Sequence, residues 1–267
     1  MRCSVARMEF GPESRGPDGF DPTIGFPSVE HRGPTTVATC QQVDQLNAEG
    51  YFVIERAFHP DTMDDVTSAL AIETGEFAVS FEARLDDSPT SVLRRFCGHP
   101  ILAGLARDFI GPDARVGGDV AVVRRPGVPT SPAFTQDMGT TRLNPSQFIT
   151  AWVALTDATV DNGCLQVVRG RHRAGVLRRD LAPWTDPSGL ADIDPRDVID
   201  VEVPAGSVVV MSSLTPRRVR PNVTRSTGVA YAIQYLRDLI DASDHTTVAD
   251  THRQFPVVRG GQLVGPS

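Results

Sequence analysis

One short segment of the chain places polar residues where they could carry chemistry. Thr135, Gln136 and Asp137 follow Phe134 between two turn-rich stretches. In a strand, alternate side chains point to the same face, so Thr135 and Asp137 would share one face. A carboxylate can accept a proton or hold a hydroxyl group, and a threonine hydroxyl can donate a hydrogen bond. The segment therefore indicates a small hydrogen-bonding or acid–base site on a strand.

Several common enzyme classes are excluded by what the sequence lacks. It contains no GxSxG, HExxH, GxxxxGK[ST] or dinucleotide-type GxGxxG motif. All 26 basic residues are arginine, so no lysine amine is present for Schiff-base chemistry or for a pyridoxal cofactor. The six histidines never occur in metal-ligand spacing, and the four cysteines are scattered without a CxxC pair.

Composition narrows the choice of partner. The chain has 267 residues and a net charge of −7 without a basic block, which argues against nucleic acid as a partner. Its longest apolar runs are far shorter than the ~20 residues of a membrane span. The first ten residues lack an apolar signal segment. We therefore expect a cytoplasmic protein that binds a small molecule and neither a membrane nor nucleic acid; the oligomeric state is left open.

The elements that must position the polar segment fall into two parts. Residues 1–38 are rich in Gly and Pro and predict an irregular arm. Residues 39–267 predict a single domain. Its first part reads as helices, with stops at Gly50 and Gly111 and a start near Pro60. From residue 114 onward, short Val-rich or alternating segments are separated by Gly, Pro, Asn and Asp. This pattern is typical of a β-sandwich or barrel, here a jelly roll with an N-terminal helical part.

Four segments of the second half occur in an order that resembles the phytanoyl-CoA dioxygenase family. They are PAFTQDMG (132–139), ITAWVALTDATVDNGCLQVVRGRHRAG (149–175), VPAGSVVVMSSLTPRRVRPNVT (203–224) and AYAIQYL (230–236). With NAEGYFVIERAF near the N-terminus, the resemblance covers most of residues 43–237. The family consists of non-haem iron, 2-oxoglutarate-dependent oxygenases. The resemblance implies a mainly β fold with flanking helices, built on a cupin-like double-stranded β-helix.

The resemblance also shows where the chain departs from the family. The family's iron is held by a facial triad of two histidines and one carboxylate, the first two ligands being His-x-Asp on one strand. Asp137 matches the carboxylate, but Thr135 stands where the first histidine belongs. The second histidine lies five residues before the Asn of a Pro-Asn turn, here Asn222, and that position is Arg217.

The cosubstrate positions are altered in the same way. The family's arginine for 2-oxoglutarate lies six residues after that Asn, and this position is Gly228. A helper serine two residues after the second histidine is replaced by Val219. Arg225 lies three residues before the expected position of this arginine, so its side chain would extend from a different part of the backbone. A guanidinium is permanently charged and would repel iron, so we expect neither a metal nor any other cofactor.

These replacements predict an ion pair between Asp137 and Arg217 at the former iron position, since a desolvated carboxylate without its metal needs a cation. The function expected is a metal-independent, non-redox tailoring enzyme for a small secondary metabolite, either a cyclase (including pericyclic) or an isomerase or lyase. Arg217 would stabilise negative charge on an oxygen, Asp137 would accept a proton, and Thr135 would donate a hydrogen bond. Two alternatives remain open: a non-catalytic metabolite-binding protein, and an iron and 2-oxoglutarate enzyme with atypical ligands.

A second group of residues is predicted to line the substrate cavity around these three. For Trp152 and for the two strand glutamines, packing in the core or on the outside of the barrel is the competing interpretation, and for Asn222 it is a role in shaping its turn. The predicted lining residues are Arg125, Gln136, Trp152, Gln166, Asn222 and Gln234.

Overall fold

The chain forms a curled, mainly antiparallel β structure with helices packed on one side. The computed structural model describes residues 37–70, 80–81, 91–137, 148–175, 193–237 and 255–265. The predicted arm at 1–38 lies outside these ranges except for its last two residues. Within the described ranges, no helix is both long and apolar enough to cross a membrane.

All four α-helices of the described part of the chain precede residue 114, where the sequence predicts the run of strands to begin, and two short strands lie between them. The helices are α1 (Cys40–Glu49), α2 (Pro60–Ala69), α3 (Val92–Cys97) and α4 (Pro100–Ile110). The first helix begins with a capping box, in which Thr39 and Gln42 satisfy each other's backbone amides. It ends at Gly50, whose φ of 88° is open to glycine but strained for most other residues. The predicted helix stops at Gly50 and Gly111 are both confirmed.

Eleven strands form two sheets in the described part of the chain. They are β1 (Tyr51–Ile54), β2 (Ser80–Phe81), β3 (Ala114–Arg124), β4 (Phe148–Ala154), β5 (Leu165–Val168), β6 (Val198–Val201), β7 (Val208–Ser212), β8 (Arg217–Val219), β9 (Gly228–Arg237), β10 (Pro256–Arg259) and β11 (Gln262–Leu263). The large sheet has the order β1-β7-β4-β9-β3-β10-β11, with β2 paired to β3. The small sheet has the order β6-β5-β8. In both sheets, some strands that are neighbours in space are not consecutive in the sequence. This is the jelly-roll arrangement that the strand pattern predicted.

Strand β4 lies in the middle of the large sheet and shows how its two faces differ. Ile149, Ala151 and Val153 belong to the core shared with the helices. Trp152 and Ala154 belong to a second core, between the two sheets. Because side chains alternate along a strand, the sequence predicts this separation, and the structure confirms it. We call the side facing the small sheet the inner face.

The core on the outer face fixes the large sheet against the helices. Phe52 of β1 packs on Phe109 of α4 with ring centroids 5.5 Å apart. The hydroxyl of Tyr235 on β9 donates to the backbone oxygen of Cys97 at 2.7 Å. These contacts hold β1 and β9 in place, and both strands carry residues that line the inner face.

Candidate functional site

The site begins where the segment after β3 meets β8. Thr135 and Arg217 form an antiparallel bridge, and each backbone amide donates to the other's carbonyl oxygen at 2.9 Å. The amide of Asp137 donates to the carbonyl oxygen of Ser213 at 3.1 Å. Arg217 also pairs with Val167 of β5, whose side chain lies in the inner core. Paired residues project to the same side, so Arg217 enters the space between the sheets.

The ion pair predicted between Asp137 and Arg217 is present. Nη2 of Arg217 donates to Oδ1 of Asp137. The side chain of Asp137 is 4% exposed and that of Arg217 is 21% exposed. A carboxylate buried to this degree is costly without a cation, so removal of Arg217 would leave an uncompensated charge between the two sheets. Its more exposed member, the guanidinium, is the part that a ligand can reach.

A third residue, Thr150, forms a second hydrogen bond to the carboxylate of Asp137. Its hydroxyl donates to Oδ2 of Asp137 at 2.6 Å from the centre of β4, where the residue is fully buried. The two carboxylate oxygens therefore each have a protein donor. Thr150 was not among the site residues predicted from the sequence. The signal that could have found it is a threonine among otherwise apolar residues on the inner face of β4.

Two groups at the site retain hydrogen-bonding capacity. Within the ranges that the structure describes, the hydroxyl of half-buried Thr135 has no hydrogen-bond partner, and the guanidinium of Arg217 donates only through Nη2. A guanidinium has five N–H donors, so several remain for a ligand. Together the two residues can bind an oxygen atom of a small molecule on which negative charge develops.

The inner wall next to this site includes two of the predicted lining residues. Gln234 on β9 pairs directly with Thr150 and, on the other side, with Gly118. Trp152 lies two residues further along the same face of β4 and is 3% exposed in the inner core. Trp152 therefore packs in the core and lines the inner face at the same time, and Gln234 is half-buried beside Thr150.

The structure places Gln136 and Gln166 away from the inner face. The amide nitrogen of Gln136 donates to the carbonyl oxygens of Leu214 and Gly175, at 2.6 and 3.0 Å. This side chain points away from its neighbour Asp137, as strand alternation requires. It links three segments of chain and has no donor left for a substrate.

Gln166 lies between two residues of the inner core, so it faces outward from β5. Its side chain donates to Asp200 and accepts from Arg218, both at 2.7 Å. The outward-facing interpretation of this glutamine is the one that the structure supports.

Asn222 is fully buried and shapes its turn. Its amide donates to the backbone oxygens of Arg124 and Ser226, at 2.7 and 2.8 Å, and its carbonyl accepts from Thr224. These bonds use its polar atoms within the turn, and a role in substrate binding is not supported. The bond to Arg124 ties this turn to the end of β3.

Of the two arginines at the end of β3, the one proposed from the sequence is not the one at the inner cleft. Arg124 lines a cleft together with Trp152, whereas Arg125 does not. Arg124 also pairs across the sheet with Gly228. Alternation along this strand of eleven residues sets which of the two adjacent side chains points inward, and the sequence alone does not fix where that strand ends.

Comparison with known proteins identifies the family. The family model described as phytanoyl-CoA dioxygenase (PhyH) matches residues 33–227. The chain belongs to this family. The resemblance drawn from the sequence motifs is thereby confirmed, and so is the mainly β, jelly-roll fold.

Curated relatives carry the family's name. A probable phytanoyl-CoA dioxygenase of Caenorhabditis elegans is 27% identical over 194 residues, which are 66% of this chain and 60% of the relative. A phytanoyl-CoA dioxygenase of Arabidopsis thaliana is 25% identical over 117 residues, 42% of this chain and 41% of the relative. The chain therefore spans less than two thirds of the length of either relative.

Solved structures show the same fold at low identity. The α-ketoglutarate-dependent carbocyclase SnoK from nogalamycin biosynthesis has a TM-score of 0.59 at 24% identity, covering 77% of this chain and 87% of SnoK. The epimerase SnoN, solved with Fe³⁺, α-ketoglutarate and nogalamycin RO, has a TM-score of 0.58 at 18% identity, covering 77% and 91%. HygX from Streptomyces hygroscopicus, solved with nickel and 2-oxoglutarate, has a TM-score of 0.61 at 17% identity, covering 76% and 88%.

The residues at the site do not fit the iron that the family implies. Both oxygens of Asp137 are bonded to protein donors, and Arg217 holds a permanent positive charge at the position of a ligand. Among the described residues, no group of three His, Cys, Asp or Glu side chains is placed to hold a metal ion. The donor set is that of a hydrogen-bonded ion pair and differs from that of a metal centre.

Proposed function

We propose that this protein is a metal-independent, redox-neutral enzyme that cyclises, isomerises or dehydrates a small secondary metabolite. The single observation that supports the proposal is the ion pair of Asp137 and Arg217, held by Thr150 on the inner face of an otherwise family-like barrel. A fixed cation with free donors can stabilise negative charge on a substrate oxygen without a change of oxidation state.

In this proposal Arg217 is the catalytic group and Asp137 sets its orientation. Because both oxygens of Asp137 already accept hydrogen bonds, this carboxylate is better suited to hold the guanidinium than to remove a proton. Arg217 and the hydroxyl of Thr135 would donate to a carbonyl oxygen of the substrate and stabilise the partial negative charge that develops on it while bonds rearrange within the substrate, with no proton taken up by the protein. The inner wall near Trp152 would hold the carbon skeleton in the reacting shape.

The solved neighbours add a context for the substrate. Two of them, SnoK and SnoN, are named as a carbocyclase and an epimerase connected with nogalamycin. The two names describe a ring closure and a change of stereochemistry. Their likeness to this chain shows the fold, and it guides the choice of compounds with which the proposal is tested.

The test is turnover without metal and without oxygen. The full chain is incubated with EDTA in oxygen-free buffer with a panel of polycyclic polyketides and their uncyclised precursors, and products are analysed by chromatography and mass spectrometry. The expected product has the mass of its substrate, or that mass less one water, and it is lost in Arg217→Met. A product that gains oxygen or loses hydrogen, formed only with iron, 2-oxoglutarate and air, would refute the proposal.

One observation favours a second candidate, a metabolite-binding protein without catalysis. The saturated bonding of Asp137 is also what a purely structural ion pair requires. The same panel of compounds distinguishes the enzyme from the binding protein. A compound that raises the melting temperature of the protein but is recovered unchanged indicates binding without catalysis.

A further inference from the structure

A row of inner-facing residues crosses the large sheet at the level of the ion pair. Direct strand pairing places five residues side by side, in the order Tyr51, Met211, Thr150, Gln234 and Gly118. Thr150 is at the centre of the row, and its hydroxyl donates to Asp137. The residues paired with Thr150 therefore lie beside the charged group of the site.

Gln234 is the polar neighbour of Thr150 in this row. Side chains that are paired directly across a sheet have Cβ atoms about 4.5–5.5 Å apart, so the amide of Gln234 can reach a molecule bound at the ion pair. The residue is half-buried. Among the residues that the structure describes, neither polar atom of this amide has a hydrogen-bond partner. The amide therefore keeps its acceptor oxygen and its N–H donors for a ligand.

Packing does not account for a glutamine at this position. Two residues further along β9, Leu236 packs with Phe148 and Leu214. Two residues in the other direction, Ala232 belongs to the inner core. An apolar side chain at position 234 would join these two apolar groups, whereas a half-buried amide without a partner loses solvation and gains no hydrogen bond. An amide retained at this cost points to a partner that arrives with a ligand.

Two glycines in β3 leave the room that this side chain occupies. A Cβ atom at Gly118 would lie 3.2 Å from Oε1 of Gln234, tighter than ordinary side-chain contacts. A Cβ atom at Gly117 would lie 2.4 Å from Cγ of Leu236, closer than a real Cβ contact. The pairing of β3 with β9 also shifts register between Val116 and Gly118, and such bulges change the direction in which side chains point. The amide of Gln234 thus lies over Gly118, where no side chain competes for the space.

The groups at this level of the barrel differ in what they can bind. Arg217 can only donate hydrogen bonds, so it binds an oxygen that carries partial or full negative charge. Both oxygens of Asp137 already accept bonds from protein donors. Oε1 of Gln234 is an uncharged acceptor beside the site, and a hydroxyl group is a donor that suits it. An ammonium group suits it less well, because the guanidinium nearby repels a second cation.

We propose that Gln234 is a specificity-determining residue of the site, whose amide oxygen accepts a hydrogen bond from a hydroxyl group of the substrate. This inference rests on the proposed function, in which Arg217 binds the carbonyl oxygen of the same molecule. Together the two residues select a hydroxy ketone whose hydroxyl group lies a few bonds from its carbonyl group. The hydroxyl keeps its proton, takes no part in bond making and serves to place the carbon skeleton.

The test measures binding and needs no turnover. The full chain is titrated with 4-hydroxy-1-tetralone, a small ring ketone with one hydroxyl group, and with 1-tetralone, which lacks the hydroxyl, and binding is followed by ligand-observed NMR. The hydroxy compound is expected to bind about fivefold more tightly, which corresponds to one net hydrogen bond. The 4-methoxy analogue, whose ether oxygen can accept but not donate, is expected to bind no more tightly than 1-tetralone.

Variants assign this preference to the amide. Gln234→Leu removes the amide at similar size and is expected to bind the hydroxy compound and 1-tetralone equally. Gln262→Leu makes the same change at an exposed glutamine of β11 and is the matched control, so it should keep the preference. Gly118→Ala adds a Cβ atom 3.2 Å from Oε1 and should weaken the preference by displacing the amide.

Three results would overturn the proposal. The first is that the unaltered chain shows no preference between the hydroxy compound and 1-tetralone, which includes the case in which neither binds. The second is a preference that persists in Gln234→Leu, and the third is a methoxy analogue that binds as tightly as the hydroxy compound. If Gln234→Leu does not fold, Gly118→Ala decides. The turnover assay in EDTA distinguishes this inference from the proposed function, since absence of turnover with the hydroxyl preference intact refutes the catalysis alone.

Discussion

The hydroxyl group of Thr150 donates a hydrogen bond of 2.6 Å to Oδ2 of Asp137, across the space between the segment after β3 and the centre of β4. Arg217 holds the other oxygen of the same carboxylate from β8. One carboxylate thus joins the large sheet to the small one. In a barrel whose family uses this position for a metal ligand, the same residue has become the centre of a hydrogen-bonded ion pair.

The first prediction concerns this hydrogen bond. Thr150→Val keeps the size of the side chain but leaves one oxygen of a buried carboxylate without its donor, which we expect to lower the free energy of unfolding by about 1–3 kcal/mol. Urea denaturation followed by circular dichroism measures the change. Thr150→Ser retains the hydroxyl and is the matched control, so it should lose less stability than Thr150→Val. A Thr150→Val variant as stable as the unaltered chain would show that the hydrogen bond makes no net contribution.

The second prediction concerns the ion pair as a unit. Arg217→Met leaves Asp137 buried without a cation and should lower the free energy of unfolding by about 3 kcal/mol. Adding Asp137→Leu should restore part of that loss, because the uncompensated charge is then gone. Double-mutant analysis of urea denaturation measures the coupling. The pair of Arg220 and Asp200, with side chains about one third exposed, is the comparison, and Arg220→Met should cost less than about 1 kcal/mol.

The third prediction reverses the replacements at the family's ligand positions. Thr135, Asp137 and Arg217 already converge, so Thr135→His combined with Arg217→His should create a site for a divalent metal ion. Cobalt(II) added to the double variant should give the visible absorption of a coordinated ion and raise the melting temperature. The same two changes with Asp137→Asn are the control, and cobalt binding that persists there would show that the metal lies elsewhere.

The fourth prediction is a pH dependence that arises at His172. This side chain is buried, its Nε2 lies 3.1 Å from the backbone oxygen of Asn47, and burial lowers its pKa to about 4. Between pH 6.5 and pH 4 the unfolded chain binds a proton at this residue and the folded chain does not, so stability falls as the pH falls through that window. The loss approaches about 3 kcal/mol at pH 4.

Denaturation of the unaltered chain and of His172→Asn at a series of pH values measures this contribution. The difference between their slopes isolates the histidine from the carboxylates that titrate in the same range. The two curves should diverge between pH 4 and pH 6.5 and run parallel above it. Parallel curves throughout would show that the folded and unfolded states bind this proton equally.

Much of the fold follows from local properties of the sequence. Glycines end α1 and α4 because few other residues adopt the backbone angles at those stops, and Gly50 has a φ of 88°. Alternation in β4 separates an outer row from an inner row before any neighbour is known. The meeting of Asp137 and Arg217 was predicted from their positions in the family's motifs, and the structure contains the contact.

The remaining parts of the site depend on register and on tertiary packing. Thr150, Gln136 and Gln166 are all polar residues in or beside strands, and only strand pairing decides which partner each one contacts. Thr150 donates a hydrogen bond to Asp137, whereas Gln136 and Gln166 bond to neighbouring loops and strands. In the same way, a shift of one residue would exchange Arg124 with Arg125 at the cleft. The sequence by itself determined the element types, the family and the loss of the metal-ligand histidines, because these are properties of residues and of their order. Only the tertiary structure decided which donors surround each charge, since a hydrogen bond depends on distance and direction between atoms that lie far apart along the chain.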